Sequence, residues 1–451
     1  MSAPPDMVRV LLGLDGVDAP HGGCTTHFAV FLLKRFEELF GDAISLRGLP
    51  ALVRLNPFIP WKTRGNAAVG LELSVDDSLV SALWEETKRL AEEYVDSLGW
   101  KPNGLGLAMV LEPRSSQLEA LSSLYERALT DVVDERALTK DQVIGCADNV
   151  ELHGGAGVVG ALAALGFLAK QKKRVTYELV LYRAIENVGK PRLVDEVSVG
   201  VAEASSRGRL INNYNYEARR AVAVPRGPDP VLLGLRGLDI EALLEAASTL
   251  RINESIWGRA VFVTNQHTDA HALPRKIREL RIYRAGLLEG VVSSEPEVGP
   301  GGHVSHELTD GTGAIDVMYY APAKPMSAVA SRLKVGDLVR VLGGAVPRSG
   351  GGAIFNAQKL WLEAAAPEVE LLNPRCPGCG ARLKSAGSRS GYKCERCKFR
   401  SSTRLPMELR VRRRGERRLV VTPGPGRLAH LVEPASAHGA PELRGAADLE
   451  G

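Results

Sequence analysis

Over its first 112 residues the chain alternates short apolar runs with amphipathic ones. VRVLLGL from Val8 reads as a strand, and THFAVFLLKRFEELF from Thr26 spaces its apolar residues three and four apart, as a helix with one buried face does. ISLRGLPALVRL and AAVGLELSV supply further strands, SLVSALWEETKRLAEEYVDSL a long helix, and LGLAMVLEP a last strand. The resulting order, βαββαβ, is that of a split, ferredoxin-like sheet. It defines a first unit over residues 1–114.

A helical stretch, SQLEALSSLYERALTDVV, leads into a second α/β unit, placed at residues 115–280, with the glycine-rich GGAGVVGALAALG, VTYELVLYRA and PVLLGLRG. Near Ala285 the pattern changes to five short strands punctuated by glycine: AGLLEGVV, GGHVSHELTD, GAIDVMYYA, LVRVLGGAV and AIFNAQKLWLE. SAVASRLKVGD falls between the third and fourth. That strand count and helix position match an OB barrel, assigned to residues 281–366. A cysteine cluster and basic strands occupy 367–422, and a tail, 423–451, is expected to be disordered from Val432 onward. The fold class is multidomain α+β: ferredoxin-like α/β layers, then an OB barrel and a zinc ribbon.

A chain of 451 residues exceeds one core, which agrees with this division. Its longest apolar stretch, GVVGALAALGFLA, is too short to span a bilayer, and no secretory signal opens the chain, so a cytosolic protein without membrane contact is expected. Net charge is only +4, but residues 371–430 hold 16 Lys and Arg against 3 Asp and Glu, a local +13 that leaves −9 for the rest. A mildly acidic body with a basic C-terminal portion suggests a nucleic-acid grip or a solvated basic face.

Cys376-Pro-Gly-Cys379 and Cys394-Glu-Arg-Cys397 are two C-x-x-C pairs separated by 14 residues. Two such knuckles complete a tetrahedral Zn²⁺ site, and four thiolates leave no position for substrate water, so the zinc is expected to be structural. Cys146 reads as packing. Farther upstream, GLDGVDAPHGGCTT follows the first strand. Carboxylates at a strand's end can hold a metal and glycines admit phosphate, although a polar turn capped by a threonine has the same composition. In LVRLNPFIPWKTRGNAAV, Lys62, Arg64 and Asn66 surround a glycine, which suits phosphate or a solvated turn.

The GLDGVDAPHGGCTT loop, LNPFIPWKTRGN, FVTNQHTDAH from Phe262, GGHV from Gly301 and the four cysteines, in this order, resemble the archaeal tRNA-isoleucine 2-agmatinylcytidine synthetases from about Val8 to about Thr422. The resemblance implies a kinase-like domain, a ferredoxin-like domain, an OB fold and a zinc ribbon. The activity it implies is an ATP-dependent C–N ligation on the wobble cytidine of an isoleucine tRNA with a CAU anticodon. Phosphorylation activates the cytosine C2 oxygen, agmatine displaces the phosphate, and the product decodes AUA. No obligate protein partner follows from it. The alternative is a non-catalytic OB and zinc-ribbon RNA-binding protein with a degenerate kinase-like domain.

Residue by residue, Asp15 and Asp18 are the implied Mg²⁺ ligands, Thr25 the self-phosphorylated threonine, and Lys62 and Arg64 the cations facing phosphate. Gly22, Gly23, Gly155 and Gly157 are candidate ATP contacts, the last two alternatively serving close helix packing. Arg183, Arg192 and Asp195 lie in ELVLYRAIENVGKPRLVDE, which also resembles the family, and Asp195 suits metal, agmatine or an ordinary salt bridge. Asn265, Gln266, Thr268 and Asp269 form either a base or agmatine site or a domain junction. The chain departs from the family's GIDDTDS loop at Gly16, Val17 and Ala19, has YYAPAK where the family's barrel has Tyr-Glu-Pro-Thr-Lys, and has His267 where the family string has glycine. Restoring the missing acid, Gly16→Asp, is on this reading expected to tighten Mg²⁺ binding.

Overall fold

The computed structural model of the chain describes residues 6–63, 65–99, 104–134, 138, 148–170, 174–387, 390–403, 405–412 and 418–435. Its N-terminal elements are β1 (Met7–Asp15), α1 (Thr25–Phe40), β2 (Ile44–Leu46), β3 (Ala51–Arg54), β4 (Ala67–Asp76), α2 (Val80–Ser97) and β5 (Gly106–Leu111). β3, β4, β1 and β5 are neighbours in that order and every pair is antiparallel, the split βαββαβ topology. The segment from Ile44 to Leu55 is not one strand. It turns at Gly48, whose φ of 76° lies in the left-handed region, and β2 pairs separately with β4.

The second segment contributes α3 (Ser115–Thr130), β6 (Val150–Gly154), α4 (Val158–Ala169), β7 (Thr176–Arg183), α5 (Glu196–Ser205), a hairpin of β8 (Tyr214–Asn215) and β9 (Arg220–Ala221), β10 (Val231–Gly237), α6 (Ile240–Thr249) and β11 (Ile256–Thr264). The break expected at residue 114 does not divide the sheet. β6 extends it beyond β5, and β11 joins β3 in parallel, so one sheet runs β10–β7–β11–β3–β4–β1–β5–β6.

The period-two geometry of β1 fixes what lies on each face of this sheet. Val10, Leu12 and Leu14 enter the core beneath α1 and α2, with Phe28, Leu32, Phe36 and Trp84. Leu11 faces the other way, against Leu121 of α3 and Ala161 of α4. Gly13 shares that second face, and a Cβ there would come within 2.3 Å of the Ala161 carbonyl oxygen. α4 therefore rests almost backbone to backbone on β1. Its small-residue sequence is explained by close packing.

β12 (Ala285–Val292), β13 (Glu297–Val298), β14 (Val304–Thr309), β15 (Ala314–Tyr319), α7 (Lys324–Ala330), β16 (Leu338–Pro347) and β17 (Ala353–Ala364) follow. The pairs β12–β14, β14–β15, β15–β17, β17–β16 and β16–β12 close a five-stranded barrel, β15–β17 alone being parallel, with α7 between the third and fourth barrel strands: an OB fold. β18 (Glu368–Leu372) pairs with β22 (Glu408–Arg412) as a ribbon leading to and from the cysteine module. That module holds β19 (Lys384–Ser385), β20 (Tyr392–Lys393) and β21 (Arg400–Ser401). β23 (Leu419–Val421) then returns to β17.

The expected tail begins instead as a strap. Leu431 and Val432 are 1% and 0% exposed. His430 and Leu431 accept hydrogen bonds from the backbone N–H groups of His267 and Asp269, at 2.7 and 2.9 Å. A Pro-, Gly- and Ala-rich composition signalled disorder, but the strap needs no periodicity of its own, because its order comes from backbone donors elsewhere. Residues 436–451, like Cys146, lie outside the described residues.

Candidate active site

Asp15 ends β1 on the face covered by α4, and Gly16 turns the chain away with φ 67°. The Asp15 carboxylate accepts the Gly16 N–H at 2.7 Å. Its other oxygen sits where a Cβ on Gly160 would approach to 1.8 Å, so α4 needs glycine there to leave room for the acid. Burial, then the neighbouring Asp18 charge, push the Asp15 pKa up to about 8, against a smaller opposing effect of the Gly16 N–H. Gly160→Ala is expected to push the carboxylate aside and reduce turnover by about 100-fold, measurable by steady-state kinetics with the melting temperature as control.

Asp15 and Asp18 open into a cavity of about 830 Å³ shared by both α/β segments. Thr25 and Thr26 at the start of α1 line it, as do Ala156 and Gly157 at the start of α4. Two helix N-termini at one cavity suit an anion. The Thr26 hydroxyl lies 3.1 Å from Cys24 Sγ, whereas the Thr25 hydroxyl makes no hydrogen bond among the described residues.

Charged residues that sequence reasoning missed line the same cavity, among them Arg54 at the end of β3, Glu178 in β7 and Arg236 in β10. Arg54 Nε is buried without a hydrogen-bond partner among the described residues, and burial lowers the arginine's pKa, with Glu178 partly opposing the shift. Arg236 Nε lies 3.5 Å from Glu178 Oε1. Such a cation, enclosed and incompletely paired, is costly unless an anion joins it. Also missed was Trp61, 64% exposed at this cavity and edge-on to Tyr283 at 5.6 Å. The only available signal was a lone charge inside each apolar strand, in LVRL, YELVLY and LLGLRG.

Other expected contacts are placed differently. Lys62 lines the cavity, yet its ammonium donates to the carbonyls of Pro57 and Ile59 in its own loop. Arg64 lies outside the described residues. Gly22 closes a small turn with Ala19, and Gly23 adopts φ 72° against Leu98; neither lines the cavity. Gly157 lines it, but the Gly155 N–H is spent on the Leu105 carbonyl.

Arg183, Arg192 and Asp195 do not line this cavity and are engaged elsewhere. Arg183 is buried against Glu254 and the carbonyls of Lys190 and Pro191. Arg192 donates to the carbonyls of Gly227, Asp229 and Val231. Asp195 caps α5 by accepting the Val197 N–H and pairs with Arg251. Their guanidinium and carboxylate groups stitch loops around the outer β7–β10 edge.

The Asn265–Asp269 string makes contacts across a junction. Asn265 clasps β3 through the Arg54 N–H and carbonyl, both at 2.8 Å, and reaches the Tyr125 hydroxyl. Thr268 donates to the Asn265 carbonyl. Asp269 accepts from Lys359 of the barrel at 2.6 Å and from the Glu433 N–H of the strap at 2.7 Å. His267 has φ 55°, which explains the family's glycine there. Gln266 alone reaches toward the cavity, donating to Glu178.

In the cysteine module the four Sγ atoms lie within 4.8 Å of one another, with Cys376–Cys397 and Cys379–Cys394 at 3.4 and 3.5 Å. Tetrahedral zinc with bonds near 2.3 Å spaces sulfurs by about 3.8 Å, so the set fits Zn²⁺. Each knuckle closes on a left-handed residue, Gly380 (φ 71°) or Lys398 (φ 64°), whose N–H returns to the carbonyl of Cys376 or Cys394. Metal analysis is expected to find one zinc per chain. Chelation should expose these four thiols to a disulfide reagent.

Family models match along the chain in the same order: the TiaS TCKD domain over residues 11–78, the TiaS FLD domain over 155–271, the OB-fold nucleic acid binding domain over 287–375 and the TiaS C-terminal zinc ribbon domain over 373–414. The isoleucine-tRNA 2-agmatinylcytidine synthetase TiaS of Ignisphaera aggregans is 34% identical over 443 residues, 96% of this chain and 94% of its own. The chain belongs to the TiaS family. Among solved structures, a complex of TiaS with its isoleucine tRNA and ATP aligns with TM-score 0.78 at 29% identity, covering 95% of this chain and 97% of that one. A complex of TiaS with the same tRNA, AMPCPP and agmatine aligns with TM-score 0.75 at 27% identity, covering 95% and 96%. The TiaS fold thus extends over 95% of this chain.

Proposed function

We propose that this chain is an ATP-dependent tRNA ligase that joins agmatine to the wobble cytidine of an isoleucine tRNA. Family membership at 34% identity over nearly the whole chain supports the reading, as do the ATP and agmatine complexes of similar proteins. The observation that carries it is the shared cavity: a carboxylate pair, two helix N-termini and a buried, incompletely paired arginine surround one space. That is what a metal-bound triphosphate beside a nucleobase requires. The retained cavity speaks against a degenerate kinase-like domain, despite Gly16 and Val17.

In this reading Asp15 and Asp18 hold Mg²⁺, which when bound neutralises triphosphate charge. Burial first, and then the Asp18 charge beside it, raise the Asp15 pKa, and two neighbouring carboxylates in one cavity favour a cation between them. Thr25 presents its hydroxyl to the same cavity, and Arg54 faces the transferred phosphate. The tRNA's CAU anticodon loop lies on the OB barrel, with the zinc ribbon and basic strands following its backbone in the cytosol. The test incubates the protein with labelled ATP, isoleucine tRNA and agmatine. Agmatine-dependent AMP release with a matching tRNA mass increase is expected. Tight tRNA binding with neither would leave only an RNA-binding protein.

A further inference from the structure

The strap that follows the zinc ribbon delivers a histidine to the cavity. Leaving β23, the chain passes Asn215, whose side chain donates to the Pro425 carbonyl at 2.8 Å. It is then fixed by the hydrogen bonds from His267 and Asp269 and by Glu433, which pairs with Arg174. Between these anchors His430 lines the cavity with Arg54, Glu178 and Arg236.

The hydrogen bonds around it determine its tautomer. Gln266 donates its amide N–H to Glu178 Oε2, so its carbonyl oxygen is what faces His430 Nδ1 at 3.0 Å. Nδ1 must therefore carry the proton and donate, which leaves Nε2 with a lone pair. Nε2 makes no hydrogen bond among the described residues. Arg54 first, then burial, Arg236 and His267, hold the ring's pKa well below the usual histidine range, so the ring is neutral and able to accept.

We infer that His430 is a catalytic base of the ligation, with Nε2 taking the proton that the attacking amine loses. The inference rests on the ligase reading above. In this step the amine nitrogen bonds to cytosine C2, the bond between C2 and the phosphorylated oxygen breaks, and phosphate leaves with that oxygen. The surplus proton of the new C–N bond goes to Nε2. The same phosphate offsets the fields of Arg54 and Arg236, so the imidazole gains basicity as the leaving group forms. Glu178 and Gln266 are positioning residues that hold the tautomer.

The test compares wild type, His430→Ala and His430→Asn, following ATP consumption and incorporation of labelled agmatine separately, with melting temperatures as fold control. The asparagine variant keeps a donor for Gln266 but supplies no basic nitrogen. Both variants are expected to lose agmatine transfer roughly 100-fold or more beyond any change in ATP consumption, with the loss in kcat and not in the KM for agmatine. Added imidazole should restore part of the His430→Ala rate. Near-normal transfer by His430→Asn, or a loss confined to KM, would overturn the assignment. Wild-type protein that consumes ATP but never incorporates agmatine would instead remove the ligase reading, and the base assignment with it.

Discussion

Asp15→Asn is expected to stop ATP-dependent turnover, by roughly a thousandfold or more, and at the same time to raise thermal stability in metal-free buffer at pH 7. The two effects have one cause. Burial and the Asp18 charge raise the carboxyl pKa from 3.8 to about 8. A raised pKa means that the folded state binds the proton more tightly than the unfolded one, so this acid's contribution to stability is fully present below pH 3.8 and is lost as pH rises towards 8. Asparagine keeps the acceptor for the Gly16 N–H and does not ionise. The variant should match wild type at acid pH and exceed it by up to about 4 kcal/mol at pH 7, less where cavity water screens the charge. Mg²⁺ should stabilise wild type and leave the variant nearly unmoved. Melting temperatures across pH, with and without Mg²⁺, check all three statements. A variant less stable than wild type at pH 7 would show that the acid is not strained.

The same geometry revises what restoring the family's second acid would do. Gly16 has φ 67°, and a Cβ there would lie 1.8 Å from the Gly104 carbonyl oxygen. Gly16→Asp is expected to displace this turn and not to tighten Mg²⁺ binding. The family string was legible at this position, but the backbone conformation of this chain was not.

What pattern reading recovers well is whatever is written locally. The barrel follows from strand alternation with glycine punctuation, the first unit from the switch between periods two and near four, and the ribbon from cysteine spacing. The loop after β1 is also local, since Asp15, Asp18 and Thr25 lie within eleven residues. The other half of the cavity is not. Arg54, Glu178, Arg236 and His430 come from three strands and the strap, and converge only because β11 pairs with β3 and the strap returns across the Asn265–Asp269 turn. Conversely, Arg183 and Arg192 sit in a string resembling the family yet donate to backbone carbonyls outside the cavity, Arg183 also pairing with Glu254. A recognisable string identifies a shared structure and does not say which side chains reach the substrate.

Lys359→Met should test the junction that brings the strap into place. Lys359 lies in β17, 0% exposed, with its ammonium 2.6 Å from Asp269 Oδ2, 4.0 Å from Glu433 Oε2 and 4.9 Å from the centre of the Trp361 ring. Methionine nearly preserves the volume but leaves the half-buried Asp269 without its cation and the buried Glu433 with Arg174 alone. Removing one partner of a buried ion pair costs about 3–5 kcal/mol, far more than the pair's net worth against an apolar replacement. Denaturant unfolding is therefore expected to show a loss of that size, and Lys359→Met/Asp269→Asn to recover part of it. Strictly additive losses would show that the two residues do not act on each other. Because the strap anchored here carries His430, the single variant should also lose agmatine incorporation more steeply than ATP consumption. A destabilised protein with both activities reduced alike would mean that the junction holds the fold without tuning the cavity.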